Sequence, residues 1–266
     1  MSIILITGAT DGIGLESAQQ LAKQGHELVL HGRSETKAAA ARDAVLAKTP
    51  GAKLHTAHAD LASLAEVARM AGELKQRLPR LDVLLNNAGV YMAERKTSRD
   101  GFEMTLAVNH LAHFLLTALL LPLLKKSAAP RVVTVSSVAH MNGRIDFHNL
   151  NGERHYDGFY AYANSKLANA LFAAELARRE PWLASNSLHP GVIDTKLLHA
   201  GFDMEGASVH SGAKTSVYLA SSPEVKGISG QYFDDCKITP PLAAVNDVRL
   251  AQQLWQWSEQ AIGSVL

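Results

Sequence analysis

A single cysteine, Cys236, stands in 266 residues. It can form no internal disulfide and cannot build the multi-cysteine sites that usually hold zinc, so the expected setting is a reducing, cytoplasmic one. An excess of charge of either sign is equally absent: Lys and Arg number 26 against 25 Asp and Glu. That balance leaves no electrostatic footprint for nucleic acid. Met1 is followed by no basic region and no small-residue cleavage site, so no export signal is expected. The longest apolar run, Leu111–Leu124, has 14 residues and contains His113 and Pro122. Spanning a bilayer takes ~20 residues, so the run predicts a buried or subunit-facing helix and no membrane span. Repeats, low-complexity tracts and Gly/Ser/Pro linkers are also missing, which predicts one domain over residues 1–266.

What is present is a core-forming composition, 47% hydrophobic and 19% charged. Short runs rich in Ile, Leu and Val alternate with longer segments of helical period, the pattern of βαβ units around a parallel sheet. Strands are predicted over Ser2–Thr7, Glu27–His31, Lys53–His58, Leu81–Asn86, Arg131–Ser136 and Ala184–His189, with a weaker seventh near Gln231–Phe233. Helices are predicted over Gly14–Gln24, Glu35–Lys48, Ser63–Arg77, Gly101–Lys125, Tyr160–Arg179 and Ser211–Ser221, and a last one over Asp247–Gln260. The fold class is therefore α/β, a Rossmann-type doubly wound parallel sheet of about seven strands. His140–Phe159 and Val192–Ala207 lack clear period. They predict substrate loops near 141–159 and 192–207, at the carboxyl edge where such sheets hold ligands.

Gly8, Gly12 and Gly14 lie where the first strand meets the first helix. Glycines there let the backbone turn sharply and let a pyrophosphate approach the helix N-terminus, whose free N–H groups and dipole favour negative charge. Arg33 follows the second strand, 19 residues after Gly14, where an Asp or Glu would grip the ribose of NAD. A guanidinium suits the 2′-phosphate of NADP instead, with Ser34 beside it and Asp11 opposing it, so NADP(H) is the expected coenzyme and NAD(H) the second choice. Tyr162 and Lys166 are four residues apart on a helix and share a face. A phenol ionises near pH 10, and a neighbouring ammonium favours the phenolate, so the pair is expected to lower that value and shuttle a proton.

These residues fall into motifs that resemble those of the short-chain dehydrogenases/reductases. Thr7-Gly8-Ala9-Thr10-Asp11-Gly12-Ile13-Gly14 matches the TGxxxGIG loop, and Asp60-Leu61 the acidic position after the third strand. Asn86-Asn87-Ala88-Gly89 matches NNAG, Tyr162-Ala163-Asn164-Ser165-Lys166 matches YxxxK, and Pro190-Gly191-Val192-Ile193-Asp194-Thr195 matches PGxxxT. Asn109 and Ser137 match the family's catalytic asparagine and serine. The resemblance implies a nicotinamide-dependent oxidoreductase interconverting an alcohol and a carbonyl, with Tyr162 as general acid/base. It implies that Ser137 binds the carbonyl oxygen, that Lys166 holds the nicotinamide ribose, and that Asn109 supports a water on the proton path. Ile193 and Thr195 would hold the carboxamide and phosphates, and Asn87 and Asp60 would line the adenosine side. Thr10, Ile13, Leu61, Ala88, Gly89, Pro190 and Gly191 complete the coenzyme-binding set. Asn109-His110-Leu111-Ala112-His113-Phe114, Ser136-Ser137-Val138-Ala139-His140 and Tyr232-Phe233-Asp234-Asp235-Cys236 resemble the retinol-dehydrogenase-like branch, as does the 25-residue spacing from Ser137 to Tyr162. That branch implies a lipophilic small-molecule substrate and pairing of subunits into homodimers or homotetramers. The alternative is a dinucleotide-sensing regulator that kept the fold without the chemistry.

Twelve histidines include the i, i+3 pairs His55/His58 and His110/His113. No carboxylate or thiolate set accompanies them, so no metal site is expected, and His140 and His189 are read as structural. Trp182, Trp255 and Trp257 are read as core or subunit contacts.

Overall fold

Alternation along the strands decides the layers. The computed structural model describes residues 1–263, so the last three residues of the expected domain lie outside the described residues. In β1 (Ile3–Ile6), Ile3 and Leu5 enter one apolar core and Ile4 and Ile6 the other. In β2 (Glu27–Gly32), Val29 joins the first core and Leu28 and Leu30 the second. Successive side chains of a strand point to opposite faces, so a sheet covered on both sides needs unbroken apolar runs.

β3 (Leu54–His58), β4 (Val83–Asn86), β5 (Arg131–Val135), β6 (Ala184–His189) and β7 (Tyr232–Asp234) extend the sheet in the order β3-β2-β1-β4-β5-β6-β7. All of these neighbours are parallel. An eighth strand, β8 (Lys237–Ile238), was not expected and pairs antiparallel with β7. Asp235 and Cys236 make its two-residue turn at φ 44° and 61°. Hairpins of this kind usually carry Asn-Gly, so the Asp-Cys pair gave no signal.

One face carries α1 (Gly12–Lys23), α2 (Glu35–Lys48) and, later in the chain, α8 (Val209–Ser221). The other carries α3 (Leu64–Arg77), a long helix beginning at Met104, and α6 (Gly158–Arg179). The long helix comprises α4 (Met104–Leu106), a π turn over Ala107–Leu111 and α5 (Ala112–Leu124). It exceeds the 14-residue apolar run: Met104–Leu124 has 21 residues and a mean hydropathy of 1.7, long and apolar enough to cross a bilayer. Yet 78% of its most apolar window is buried inside the fold, where Leu111, Leu115, Leu116 and Leu120 pack among α3 and the sheet. A short α7 (Lys196–Gly201), capped by Thr195, interrupts the stretch predicted as a substrate loop.

The last helix, α9 (Val248–Ile262), closes over α6 and the π turn. Trp255 stacks on Phe172 with centroids 5.9 Å apart, Phe114 meets its edge at 4.8 Å, and the Arg179 guanidinium lies 4.6 Å over its ring. Ser258 accepts a hydrogen bond from His110 Nε2 at 2.8 Å while donating to the Leu254 carbonyl. Trp255 is therefore an intramolecular packing residue.

Candidate active site

At the carboxyl edge of β1 the Thr7 hydroxyl has four polar neighbours and one proton to give. It accepts from the backbone N–H groups of Asn87 (2.8 Å) and Ala88 (3.0 Å), and it lies 3.3 Å from the Leu85 carbonyl and 2.9 Å from His113 Nε2. His113 Nδ1 faces the Asn109 carbonyl at 3.0 Å, which can only accept, so Nδ1 carries the proton and Nε2 takes the Thr7 hydroxyl. Burial pushes His113 down to about 3, so the ring stays neutral. His31 does similar work one strand away. Its Nδ1 accepts from Gly8 N at 3.1 Å, its Nε2 donates to the Ala59 carbonyl at 3.0 Å, and burial lowers it to about 4. Neither histidine was assigned a role from sequence, because each acts on a residue distant in the chain.

The glycine loop is shaped as a cradle. Gly8 and Gly12 adopt φ of +63° and +50°, and a Cβ on Gly14 would stand 2.2 Å from the Gly8 carbonyl oxygen and 2.5 Å from Asn87 Nδ2. The close approach at Gly14 excludes any side chain. A cavity of about 940 Å³ opens over this loop. Gly8, Thr10, Asp11, Gly12, Ile13 and Gly14 line it, with Asp60, Leu61, Asn87, Ala88, Gly89, Pro190, Gly191, Ile193 and Thr195. The backbone cradle at a helix N-terminus and the long cavity fit an extended dinucleotide.

Arg33 and Lys37 line the adenosine end together. Lys37 was missed; a cation in the first turn of α2, just after Arg33, was its available signal. Ser34, expected beside Arg33, instead caps α2, accepting from Lys37 N at 3.4 Å, and does not line the cavity. Asp11 caps α1 through Gly12 N at 2.8 Å and pairs with Lys196. The Lys196 ammonium holds its carboxyl below the ordinary carboxylate range, and its charge is compensated rather than left facing the loop. The Thr195 hydroxyl, expected on the phosphates, accepts from Leu198 N as the α7 cap and bonds the Ile193 carbonyl, both at 3.3 Å.

At the other end Ser137, Tyr162 and Lys166 line the same cavity. Tyr162 and Lys166 are buried on α6, one turn apart. Lys166 Nζ donates to the Val135 carbonyl at 3.1 Å and lies 5.5 Å from the Tyr162 ring centroid. Ser136 Oγ braces the helix by donating to the Lys166 carbonyl at 2.7 Å. The expected lowering of the phenol is not found. Burial raises Tyr162 to about 12, with only the Ser137 hydroxyl pulling the other way, and lowers Lys166 to about 8. The physical reason is that burial disfavours both charged forms and the ammonium is turned to a carbonyl rather than to the phenol oxygen. At neutral pH the phenol is therefore protonated, the form that can donate.

Asn109 lies beneath the cavity and does not line it. Its Oδ1 accepts from Val90 N at 2.8 Å, and its Nδ2 donates to the Val90 carbonyl and Ser165 Oγ, each at 3.0 Å. The point that a Cβ on Gly89 would occupy is 3.4 Å from Lys166 Nζ and 3.5 Å from Asn109 Oδ1, so the missing side chain leaves these two groups facing one space.

Met141 and Phe159, from the first predicted loop, and Val192, Leu197, Phe202 and Met204, from the second, form an apolar mouth beside Tyr162. A third wall, Val90, Met92 and Met104, was not foreseen. Tyr91 carries it, its ring 6.0 Å from Tyr162 and 5.5 Å from Phe202. Val138, Met141, Val192 and Met204 are large apolar side chains left exposed on this rim.

Comparison with known proteins agrees with this geometry. The short chain dehydrogenase family model matches residues 2–206. Retinol dehydrogenase 14 of Mus musculus is 41% identical over 285 residues, covering 98% of this chain and 85% of the relative. Polyprenol dehydrogenase of Mus musculus is 41% identical over 273 residues, covering 95% and 81%. Among solved structures, an uncharacterized protein from Mycobacterium Paratuberculosis superposes with a TM-score of 0.82 at 32% identity, covering 99% of this chain and 94% of that one. A short chain dehydrogenase from Escherichia coli CFT073 complexed with NADPH gives 0.74 at 29% identity, covering 89% and 97%.

Proposed function

This chain belongs to the short-chain dehydrogenase family, in its retinol-dehydrogenase-like branch, and from that premise we propose that it interconverts a lipophilic alcohol and its aldehyde or ketone with NADP(H) preferred and Tyr162 as general acid/base. The observation that carries the reading is that Ser137, Tyr162 and Lys166 stand between a dinucleotide-shaped cradle and an apolar mouth in one cavity. When bound, the nicotinamide coenzyme supplies or accepts the hydride. Tyr162 holds the proton that a carbonyl oxygen needs on reduction, and Ser137 offers that oxygen a hydrogen bond where charge develops. Lys166 would hold the ribose beside them. Met141, Phe159, Phe202 and Met204 support an apolar substrate by keeping water from the reacting carbon. A spectrophotometric panel of aldehydes, ketones and alcohols with NADPH and NADH tests the reading. Tight NADPH binding without turnover of any of them would favour the sensor alternative.

Arg33→Ala should cost about ten- to a hundredfold in NADPH affinity and leave NADH nearly unchanged, because charge-assisted hydrogen bonds contribute roughly 1.5–3 kcal/mol. Equal losses for the two coenzymes in fluorescence titrations would take the 2′-phosphate away from Arg33. Lys166→Ala should lower kcat at least about a hundredfold and also weaken NADPH by about tenfold, since one ammonium serves both tasks. Unchanged NADPH affinity would remove its coenzyme role. Subunit pairing through α5 and α6, as the branch suggests, would have to form around α9, and light scattering at micromolar concentration decides it.

A further inference from the structure

Two buried imidazoles grip the peptide group that follows Ser137. His140 Nδ1 meets the Ser137 carbonyl at 2.7 Å, and His189 Nδ1 lies 3.1 Å from Val138 N. The second nitrogen of His140 lies 3.0 Å from Leu242 N, in the segment leading to α9. A carbonyl only accepts and a backbone N–H only donates, so the tautomers are forced. His140 carries its proton on Nδ1 and takes Leu242 on Nε2; His189 leaves Nδ1 bare for Val138. Both rings must be neutral, because a second proton on either would face a backbone N–H and break that bond. The Ser137 carbonyl and the Val138 N–H belong to the same peptide group, so together the rings fix the peptide that follows the serine.

The polar surroundings are few. From β7, the Tyr232 ring packs against His140 at a 37° tilt with centroids 4.6 Å apart, and Asp234, paired with His189 across β6 and β7, favours a proton there. His140 opposes that proton, and Tyr162 on α6 bears electrostatically on Tyr232. Burial is the largest influence on both histidines and holds them below the ordinary imidazole value. Leu242, on the far side of His140, packs with Val245 against Leu167 and Leu171, the same helix that presents Tyr162.

We propose that His140 and His189 are positioning residues that aim the Ser137 hydroxyl, and that His140 ties this aim to the C-terminal segment through Leu242. The inference rests on the reading of Ser137 as the group that binds the carbonyl oxygen. Because both histidines must stay neutral, the brace is complete above the unfolded imidazole value of about 6.5 and is lost as pH falls through the lower folded values. In that window the unfolded chain binds more protons than the native one, so stability declines as pH falls from about 6.5, and turnover follows at the lower pH where the native rings take a proton.

His140→Ala removes both bonds, whereas His140→Asn keeps a donor for the Ser137 carbonyl, cannot titrate and loses Leu242. With the most active aldehyde of the panel, His140→Ala should lower kcat about tenfold or more while NADPH affinity stays within about twofold, and His140→Asn should recover to within about threefold of wild type. A double variant, His140→Asn with His189→Asn, should hold a flatter kcat than wild type as pH falls below ~6.5. Nitrogen-15 NMR of the histidines in the coenzyme-free protein should find His140 as the Nδ1–H tautomer, and thermal melts should show wild type losing more stability than the double variant over the same pH range. Wild-type kcat in His140→Ala, or an Nε2–H tautomer at His140, overturns the proposal. If wild type turns over nothing in the panel, the functional reading fails, while the tautomer and the melting profile still judge the brace.

Discussion

Tyr162→Phe is expected to lower kcat by roughly two to four orders of magnitude, the range that a positioned general acid contributes. The phenol is raised to about 12 by burial, so it is protonated throughout the neutral range and donates rather than accepts in the carbonyl-reducing direction. Phenylalanine keeps the ring, whose neighbours Tyr91 and Phe202 lie 6.0 Å and 6.1 Å away, and removes only the hydroxyl. The apolar mouth should therefore survive, with a melting temperature close to wild type and NADPH affinity within a few-fold. Lys166, lowered to about 8, loses its charge as pH rises past that value, so an alkaline decline in wild-type turnover belongs to the lysine and not to the phenol. Single-turnover measurement of the variant decides the assignment: more than about a tenth of wild-type kcat would mean that another group supplies the proton.

Gly14→Ala should abolish useful coenzyme binding, by roughly a hundredfold or more in NADPH affinity. The added Cβ would stand 2.2 Å from the Gly8 carbonyl oxygen, and neither neighbour can yield easily. Gly8 is held at φ +63° with its N–H on His31, and Asn87 Nδ2 is tied to the Thr7 carbonyl at 2.8 Å. Forced overpacking of this kind costs about 1–3 kcal/mol, which exceeds the gain of up to about 1 kcal/mol that alanine brings to a helix. Stability should fall modestly and affinity severely, because the atoms displaced are those that form the cradle. Gly72→Ala is the matched control: it lies in α3 with nothing within 4 Å of its Cβ position, so it should stabilise the fold and leave NADPH binding alone. Paired NADPH titrations and melts suffice, and affinity in Gly14→Ala within about threefold of wild type would refute the steric account.

Much of this was legible in the amino-acid order because it depends on local period. The runs in β1 to β6 alternate sides under their own pleat, the three glycines sit at the first strand–helix junction, and four-residue spacing alone puts Tyr162 and Lys166 on one face. A parallel sheet with its site at the carboxyl edge follows from those features. The direction of the Tyr162 shift did not, since it depends on how completely α6 is buried and where Lys166 points. Ser34 was read as a ligand contact, yet it caps α2 outside the cavity, whereas Thr195 caps α7 and still lines it, a distinction that spacing cannot draw. Closure of the chain made the remaining contacts: His113 on Thr7, His31 on Gly8, His140 on Leu242, and α9 across α6, joining residues from 23 to 106 positions apart in the hydrogen-bonded cases. The order of residues specifies which chemical groups are present and at which edge of the sheet they gather. Which protons are held and which backbone groups are gripped depends on the closed fold, because burial and hydrogen-bond partners are properties of neighbours in space.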